Sequence, residues 1–266
     1  MIPPERPGLD RALVGTALAP PWTQIAIIDA TRSTNADLLA TADTTAEGAV
    51  LVAEHQTAGR GRLERTWVSP ARSALTFSVL LRPTTPTGTW GWLPLLAGVA
   101  LRDAVARVGV GAMLKWPNDL LVGPRPAKAA GLLAQVAGDA VVLGIGLNVN
   151  TTQDELPVPT ATSLVLAGGS ADRSALLVDV LGRLGQRYRD WLAAGGDAER
   201  CGLAADYRRH CATIGRRVAV TGTDGALIEA TATGVDADGR LVLDVGAGNE
   251  RVIAAGDVAH LRPATR

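Results

Sequence analysis

The chain has 266 residues, 47% of them hydrophobic, which is room for one large domain and a small one and too apolar for a disordered chain. Its 26 basic and 26 acidic residues cancel, so no global field draws it to nucleic acid or an anionic membrane, and any basic site must be local. One Phe stands against six Trp, so the core must come from Leu, Val, Ile and Ala, and the Trp share exceeds what interior packing alone demands.

Residues 1 to 22 predict a mostly irregular lead-in, because two Pro pairs remove donors and restrict their neighbours. No apolar run there is long enough for a signal peptide or a membrane span, so no export is expected. QIAIID (24 to 29) reads as a short strand, and STNADLLATA (33 to 42) as a capped helix. GAVLVAE (48 to 54) reads as a buried strand. SALTFSVLLR (73 to 82) alternates Leu75, Phe77 and Val79 with Thr76 and Ser78, the pattern of a half-buried strand. A helix is predicted over 90 to 109, with Pro94 near its first turn. MLKW, DLLV, AAGLLAQV and AVVLGIGLNVN follow as consecutive strands in a largely antiparallel sheet. From Ser174 to His210 the apolar period is helical, with a Gly195-Gly196 break. Cys201 and Cys211 have no CxxC spacing and no disulfide framework, which fits a reducing cytoplasm. Beyond Gly215 short β runs separated by Asp224-Gly225 and Asp238-Gly239 predict a small β barrel. The expected division is therefore a lead-in over 1–22, an α+β domain over 23–213 and a β domain over 214–266.

The densest chemical signal is AEHQTAGRGRLERTWVSP (53 to 70), where Arg60, Arg62 and Arg65 are interleaved with Gly59 and Gly61 and followed by Trp67. Guanidinium groups so close repel one another, so the segment is expected to be poorly ordered alone and to close around a polyanion. A solvated basic surface loop is the plainer alternative. In LKWPNDLLV (114 to 122), Lys115 should end a strand facing opposite to Trp116, just before an Asn118-Asp119 turn. Such an ammonium either sits between two anions in a phosphoryl-transfer step or snorkels to the surface. VVLGIGLNVN (141 to 150) puts Val141, Leu143, Ile145, Leu147 and Val149 on one face and Gly144, Gly146 and Asn148 on the other, a scooped face for a flat ligand or merely a bend. Ser33, Thr34 and Asn35 offer more polar groups than one helix cap uses. There is no GxxxxGK[ST], full GxGxxG, GxSxG, HExxH or metal-spaced Cys/His set, so a nucleotide would need a non-Walker site.

In this order, STN (33 to 35), EHQTAGRGRLERTW (54 to 67), KWPNDLLV (115 to 122), KAAGLL (128 to 133) and GIGLNVN (144 to 150) closely resemble biotin protein ligases. The resemblance is strong over residues 25 to 150 and looser in the tail. It implies a class II synthetase-like catalytic fold, a mixed sheet flanked by helices, followed by an SH3-like barrel. It implies ATP-dependent conversion of biotin to biotinyl-5′-AMP, then transfer to a lysine of the biotin carboxyl carrier domain of an acyl-CoA carboxylase, with ATP, biotin and Mg²⁺ as the small partners. By resemblance Ser33, Thr34, Asn35 and Gln56 hold the ureido ring, and Gly131, Gly144 and Gly146 give it room. Gly59, Arg60, Gly61 and Arg62 form the ligand-ordered loop that Trp67 closes, Arg60 and Arg62 acting in catalysis with Lys115, which bridges the biotin carboxylate and α-phosphate. Asn148, Arg65, Asn118, Asp119 and Lys128 lie on the ATP side. Mg²⁺ is held mainly by phosphates, with Asp119 as the candidate protein ligand. Leu63 and Glu64 depart from the more basic or Gly-containing stretch of many relatives, which puts loop closure in doubt. The 22-residue lead-in is too short for the DNA-binding domain of the regulatory members, so neither DNA nor a membrane is an expected partner. A lipoate or octanoate ligase or transferase of the same fold is the nearer alternative. A non-catalytic RNA-binding or ligand-binding module is the farther one, disfavoured by zero net charge and a tail poor in stacking aromatics.

Overall fold

The computed structural model describes residues 6–16, 18–169, 172–222 and 225–261. The first five residues of the lead-in and Asp224 of the first tail turn lie outside them. In chain order the elements are α1 (Arg11–Thr16), β1 (Gln24–Ile28), α2 (Thr34–Ala40), β2 (Ala49–Ala53), β3 (Gly59–Arg60), β4 (Thr66–Trp67), β5 (Ala74–Leu81), α3 (Trp92–Arg107), β6 (Ala112–Lys115), β7 (Asp119–Val122), β8 (Ala127–Ala137), β9 (Ala140–Asn148), α4 (Arg173–Ala193), α5 (Leu203–His210), β10 (Arg217–Thr221), β11 (Leu227–Val235), β12 (Leu241–Gly246), β13 (Asn249–Ile253) and β14 (Asp257–His260).

A seven-stranded sheet of order β1-β2-β5-β9-β8-β7-β6 carries the larger part of the fold. Only β1 and β2 pair in parallel; the other neighbours are antiparallel, so the expected α+β architecture with a mixed, largely antiparallel sheet is what forms. Leu75, Phe77 and Val79 of β5 and Val141, Leu143, Ile145 and Leu147 of β9 share the face that packs in the main core with α3 and α4. Strand β5 is buried on both faces rather than half-buried. The second face is covered near β2 by α2, through Leu38, Leu80 and Val142, and is left for the site farther along. Helix α3 contacts β6 and β8 and also α4 and α5, so its first ten residues are apolar all round, and charges enter only at Arg102, Asp103 and Arg107.

Residues 6–22 carry more structure than paired prolines suggest, because Leu9, Val14 and Trp22 are buried in the main core. The surplus of Trp is also a packing matter: Trp22, Trp92, Trp116 and Trp191 are core residues. Several use the indole N–H as a polar handle on backbone carbonyls, Trp22 to Leu181 O at 2.7 Å and Trp92 to Ala237 O at 2.9 Å.

The tail forms a five-stranded antiparallel sheet of order β13-β12-β11-β10-β14, including β14, which the sequence reading missed. The expected closed barrel is not found: among the described residues no pairing joins β13 to β14. Strand β13 is exposed at all but Ile253, so its outer edge has no apolar face to bury against a partner.

Candidate active site

Register builds the site. Directly paired residues in a sheet project to the same face. Lys115 pairs with Asp119, Asp119 with Gly131, Gly131 with Gly146 and Gly146 with Thr76, a row across four strand boundaries. Leu133, Gly144 and Ser78 form the neighbouring row. Strict alternation from Gly131 would point Lys128 away. A bulge shifts the register between Leu120 and Leu121, so that Leu121 pairs with Lys128 and brings the ammonium onto the site face. Lys128 Nζ lies 2.5 Å from Asp119 Oδ1, and Lys115 Nζ 4.0 Å from Asp119 Oδ2.

At the other end of the rows, Ser33 caps α2 by accepting from Ala36 N at 3.4 Å, so it is the capping residue among the three polar ones. Gln56 Oε1 accepts from Thr34 N at 2.8 Å and from its Oγ1 at 3.1 Å. Ser78 Oγ donates to Asn35 Oδ1 at 2.5 Å, and the Asn35 amide donates to Gln135 Oε1 at 2.9 Å. These side chains hold one another in place, so a polar ligand meets a rigid set of donors and acceptors.

The arginine-rich segment, expected to be poorly ordered alone, is folded as a hairpin of β3 and β4 over the sheet. Its tip is a tight turn closed by Arg65 N donating to Arg62 O at 3.1 Å, with Leu63 at φ 53° and Glu64 at φ 58°. Burial pulls the Arg62 guanidinium below its ordinary pKa, while Asp119 and Asp257 pull it up. Arg65 Nη2 lies 2.5 Å from Asp257 Oδ2 of β14, tying the hairpin to the second sheet. That bond, with help from Lys115 and Arg62, holds the Asp257 carboxyl below its ordinary value. His260 Nε2 sits 3.1 Å from Thr213 Oγ1, which in turn accepts from Trp116 N at 3.1 Å. Burial first, then Lys115 and Arg216, push His260 down to about 4, so it is neutral at pH 7.

These elements enclose a cavity of about 1040 Å³. Every site residue named from the sequence lines it except Gly59. A Cβ on Gly59 would stand 2.6 Å from Trp67 O, so this glycine serves the hairpin's own closure. The floor is also less vacant than the glycine pattern implies. Asn35 Oδ1 sits 2.0 Å from where a Gly144 Cβ would be, and Trp67 Cε2 2.5 Å from a Gly146 Cβ. The glycines make room for protein side chains, Asn35 and Trp67, before any ligand. The buried Trp67 Nε1 has no hydrogen-bond partner among the described residues. Asn118 and Asn148 each commit an amide N–H to backbone, Leu132 O at 2.8 Å and Thr162 O at 3.0 Å. Ser78, Gln135, Asp257 and His260 were missed. Ser78 had a signal, a polar residue alternating with core residues in β5, whereas Asp257 and His260 lie in a strand that no pattern announced.

No group of His, Cys, Asp and Glu among the described residues forms a metal cage. Both oxygens of Asp119, the proposed protein ligand, face ammonium groups.

A glycine-floored slot, a fixed amide and hydroxyl set at one end, paired ammoniums at the other and an arginine hairpin above define a site that joins a small polar-headed acid to a phosphorylated partner. The biotin/lipoate A/B protein ligase family matches residues 26–151, and the biotin protein ligase C terminal domain matches residues 213–261. The biotin–[acetyl-CoA-carboxylase] ligase of Mycobacterium tuberculosis is 46% identical over 91% of this chain and 90% of its own. The protein of the same name from Paracoccus denitrificans is 32% identical over 85% of this chain and 96% of its own. Among solved structures, a biotin protein ligase from Aquifex aeolicus in complex with biotin and ATP superposes with a TM-score of 0.76 at 27% identity, covering 91% of this chain and 100% of that one. The chain belongs to the biotin protein ligase family.

Proposed function

We propose that this protein activates biotin with ATP and transfers it to a lysine of the biotin carboxyl carrier domain of acetyl-CoA carboxylase. The convergence of Lys115 and Lys128 on Asp119, at the phosphate end of a slot whose other end is the Thr34–Gln56–Asn35–Ser78 network, carries the reading. The names of the relatives and the biotin and ATP held by the Aquifex protein support it.

In the first step a biotin carboxylate oxygen attacks the α-phosphorus and the bond to the β-phosphate bridging oxygen breaks, releasing pyrophosphate. Two anions must approach each other. The ammoniums of Lys115 and Lys128, held in a partly water-excluded site, offset that repulsion and the charge gathering on the phosphoryl oxygens. Arg60, Arg62 and Arg65 add guanidinium groups from the hairpin above, where planar forks match phosphate oxygens. Asn35 and Gln56 hold the ureido head, and the unpartnered Trp67 N–H supplies one more donor. Asn118 and Asn148 border the nucleotide side.

Mg²⁺ supplies charge neutralisation on the β and γ phosphates when ATP is bound. Asp119, which lies 2.5 Å from Lys128 Nζ, is the protein residue that would contribute to holding it beside the phosphates. In the second step the carrier lysine loses a proton, its nitrogen attacks the acyl carbon, and AMP leaves with the C–O electron pair. No covalent enzyme intermediate is needed. The free thiols Cys201 and Cys211 support a reducing cytoplasm as the working compartment.

Incubation with biotin, MgATP and a carboxyl-carrier domain, read by intact mass, should show one biotinyl increment on the carrier. Calorimetry should show heat with biotin and none with lipoate. Binding of lipoate instead, or no biotin-dependent exchange of label between pyrophosphate and ATP, overturns the reading.

A further inference from the structure

We propose that residues 6–9 form a brace that presets two walls of the active site from behind, the biotin-side wall at Gln56 and the phosphate-side wall at Lys128, with Arg6 as a positioning residue. The inference rests on the reading of the site just given.

Glu54 directly follows the buried strand β2 and stands two residues before Gln56 of the polar network. Its carboxylate is nearly dry, as is the Arg173 guanidinium that binds it at 2.7 Å, with side-chain exposures of 6% and 4%. A dry ion pair is stable only when its remaining lone pairs and protons are also satisfied. The first segment of the chain does that. Leu9 N donates to Glu54 Oε1 at 2.6 Å, and Arg173 Nη2 donates to Pro7 O at 2.7 Å. Arg72 N, at the far root of the arginine hairpin, donates to Glu54 O at 2.8 Å, so both hairpin roots meet at this one pair.

The same segment reaches the opposite wall. The Arg6 side chain, 6% exposed, lies 2.5 Å from Glu155 Oε2 and donates to Asn150 O at 3.2 Å. Arg6 is the main reason that the Glu155 carboxyl sits below its ordinary pKa. Glu155 begins the stretch that continues to Thr160 and Ala161, which line the cavity. That stretch holds the backbone of Lys128, with Lys128 N donating to Thr160 O at 3.0 Å and Thr162 N donating to Lys128 O at 2.9 Å. Residues 6–9 therefore fasten the chain segment carrying Gln56 on one side and, through Glu155, the stretch that pairs with the Lys128 backbone on the other, and none of them lines the cavity.

Nothing in the brace contacts a reacting atom. Its contribution is to order the two walls before ligands arrive, so that ordering free energy is not drawn from binding. Loss of the brace should raise the KM for biotin and for ATP and leave the saturated rate nearly intact.

The test compares wild-type, Arg6→Lys, Arg6→Ala, Glu155→Gln and the double variant in pyrophosphate–ATP exchange, with thermal melts alongside. Arg6→Ala should raise the biotin KM about tenfold, the order expected from losing a charge-assisted contact, with kcat within about twofold. Arg6→Lys should fall between, and the double variant should match the single ones, since both remove one contact. A lower kcat at unchanged KM, tracking a lower Tm, would make the segment merely structural and overturn the proposal. So would unchanged kinetics in every variant, including the mild Arg6→Lys. Lack of exchange in the wild-type would instead remove the reading of the site beneath it.

Discussion

Lys115 and Lys128 flank one carboxylate, and neither is redundant. Removing either leaves Asp119 under-neutralised just where a carboxylate and a triphosphate must meet. Lys115→Ala and Lys128→Ala are each expected to slow single-turnover adenylate formation by about a hundredfold or more, the scale of losing one fixed charge at a transition state, while biotin affinity changes by only severalfold. Normal adenylation in one variant would strip that lysine of the role. His260 makes a separate prediction about pH. Its pKa falls from 6.5 to about 4 on folding. Between these values the unfolded chain binds a proton that the folded chain refuses, so stability should be fully present above pH 6.5 and decline as pH falls toward 4. Urea melts of His260→Gln should show a flatter decline over that window than the wild-type, and parallel curves would dismiss the effect.

At the scale of the element, the arginine hairpin is held by opposed tendencies. Its tip has the geometry of a type I′ turn, which wants Asn-Gly at the central positions, yet carries Leu63 and Glu64 with positive φ. Each such residue costs on the order of 1 kcal/mol. The Arg65–Asp257 pair pulls the other way, but with side chains 62% and 44% exposed it offsets little of that. The closed hairpin is therefore less stable than its contacts suggest, and its ligands must supply the difference. Leu63→Asn with Glu64→Gly should lower the biotin KM severalfold and slow escape of the adenylate, measured as reduced bystander labelling. A higher KM would show that the tip's stiffness is not what limits closure.

Across the whole molecule, the two sheets meet at a compact seam beside the site. Trp92 Nε1 donates to Ala237 O at 2.9 Å and Trp116 Nε1 to Gly239 O at 3.1 Å, so a turn of the second sheet is anchored by indoles from both α3 and the lysine-bearing hairpin. Gly239 has φ 81°, and a Cβ there would stand 2.8 Å from Gly91 C. Gly239→Ala should destabilise the protein by on the order of 2 kcal/mol, from left-handed strain plus the backbone clash, and should lower adenylation because Asp257 and His260 ride on the same sheet. Unaltered urea midpoints and unaltered activity would break that link.

Local pattern was enough for much of this protein. The alternation in β9, the cap at Ser33 and the Gly195-Gly196 break between α4 and α5 follow from periodicity and backbone preference, which act over a few residues, and the polar and basic segments of the cavity could be named as well. What the chain hid was register. A single bulged residue in β8 decides that Lys128 faces the site, and no one-dimensional pattern reports which strand it is paired with. The side chains resting on Gly144 and Gly146, the reach of Asp257 and His260 from the second sheet, and the fastening of Glu54 by residues 6–9 were likewise settled by tertiary structure. All are contacts between residues far apart in the chain, set by how buried faces pack together rather than by what stands next to what.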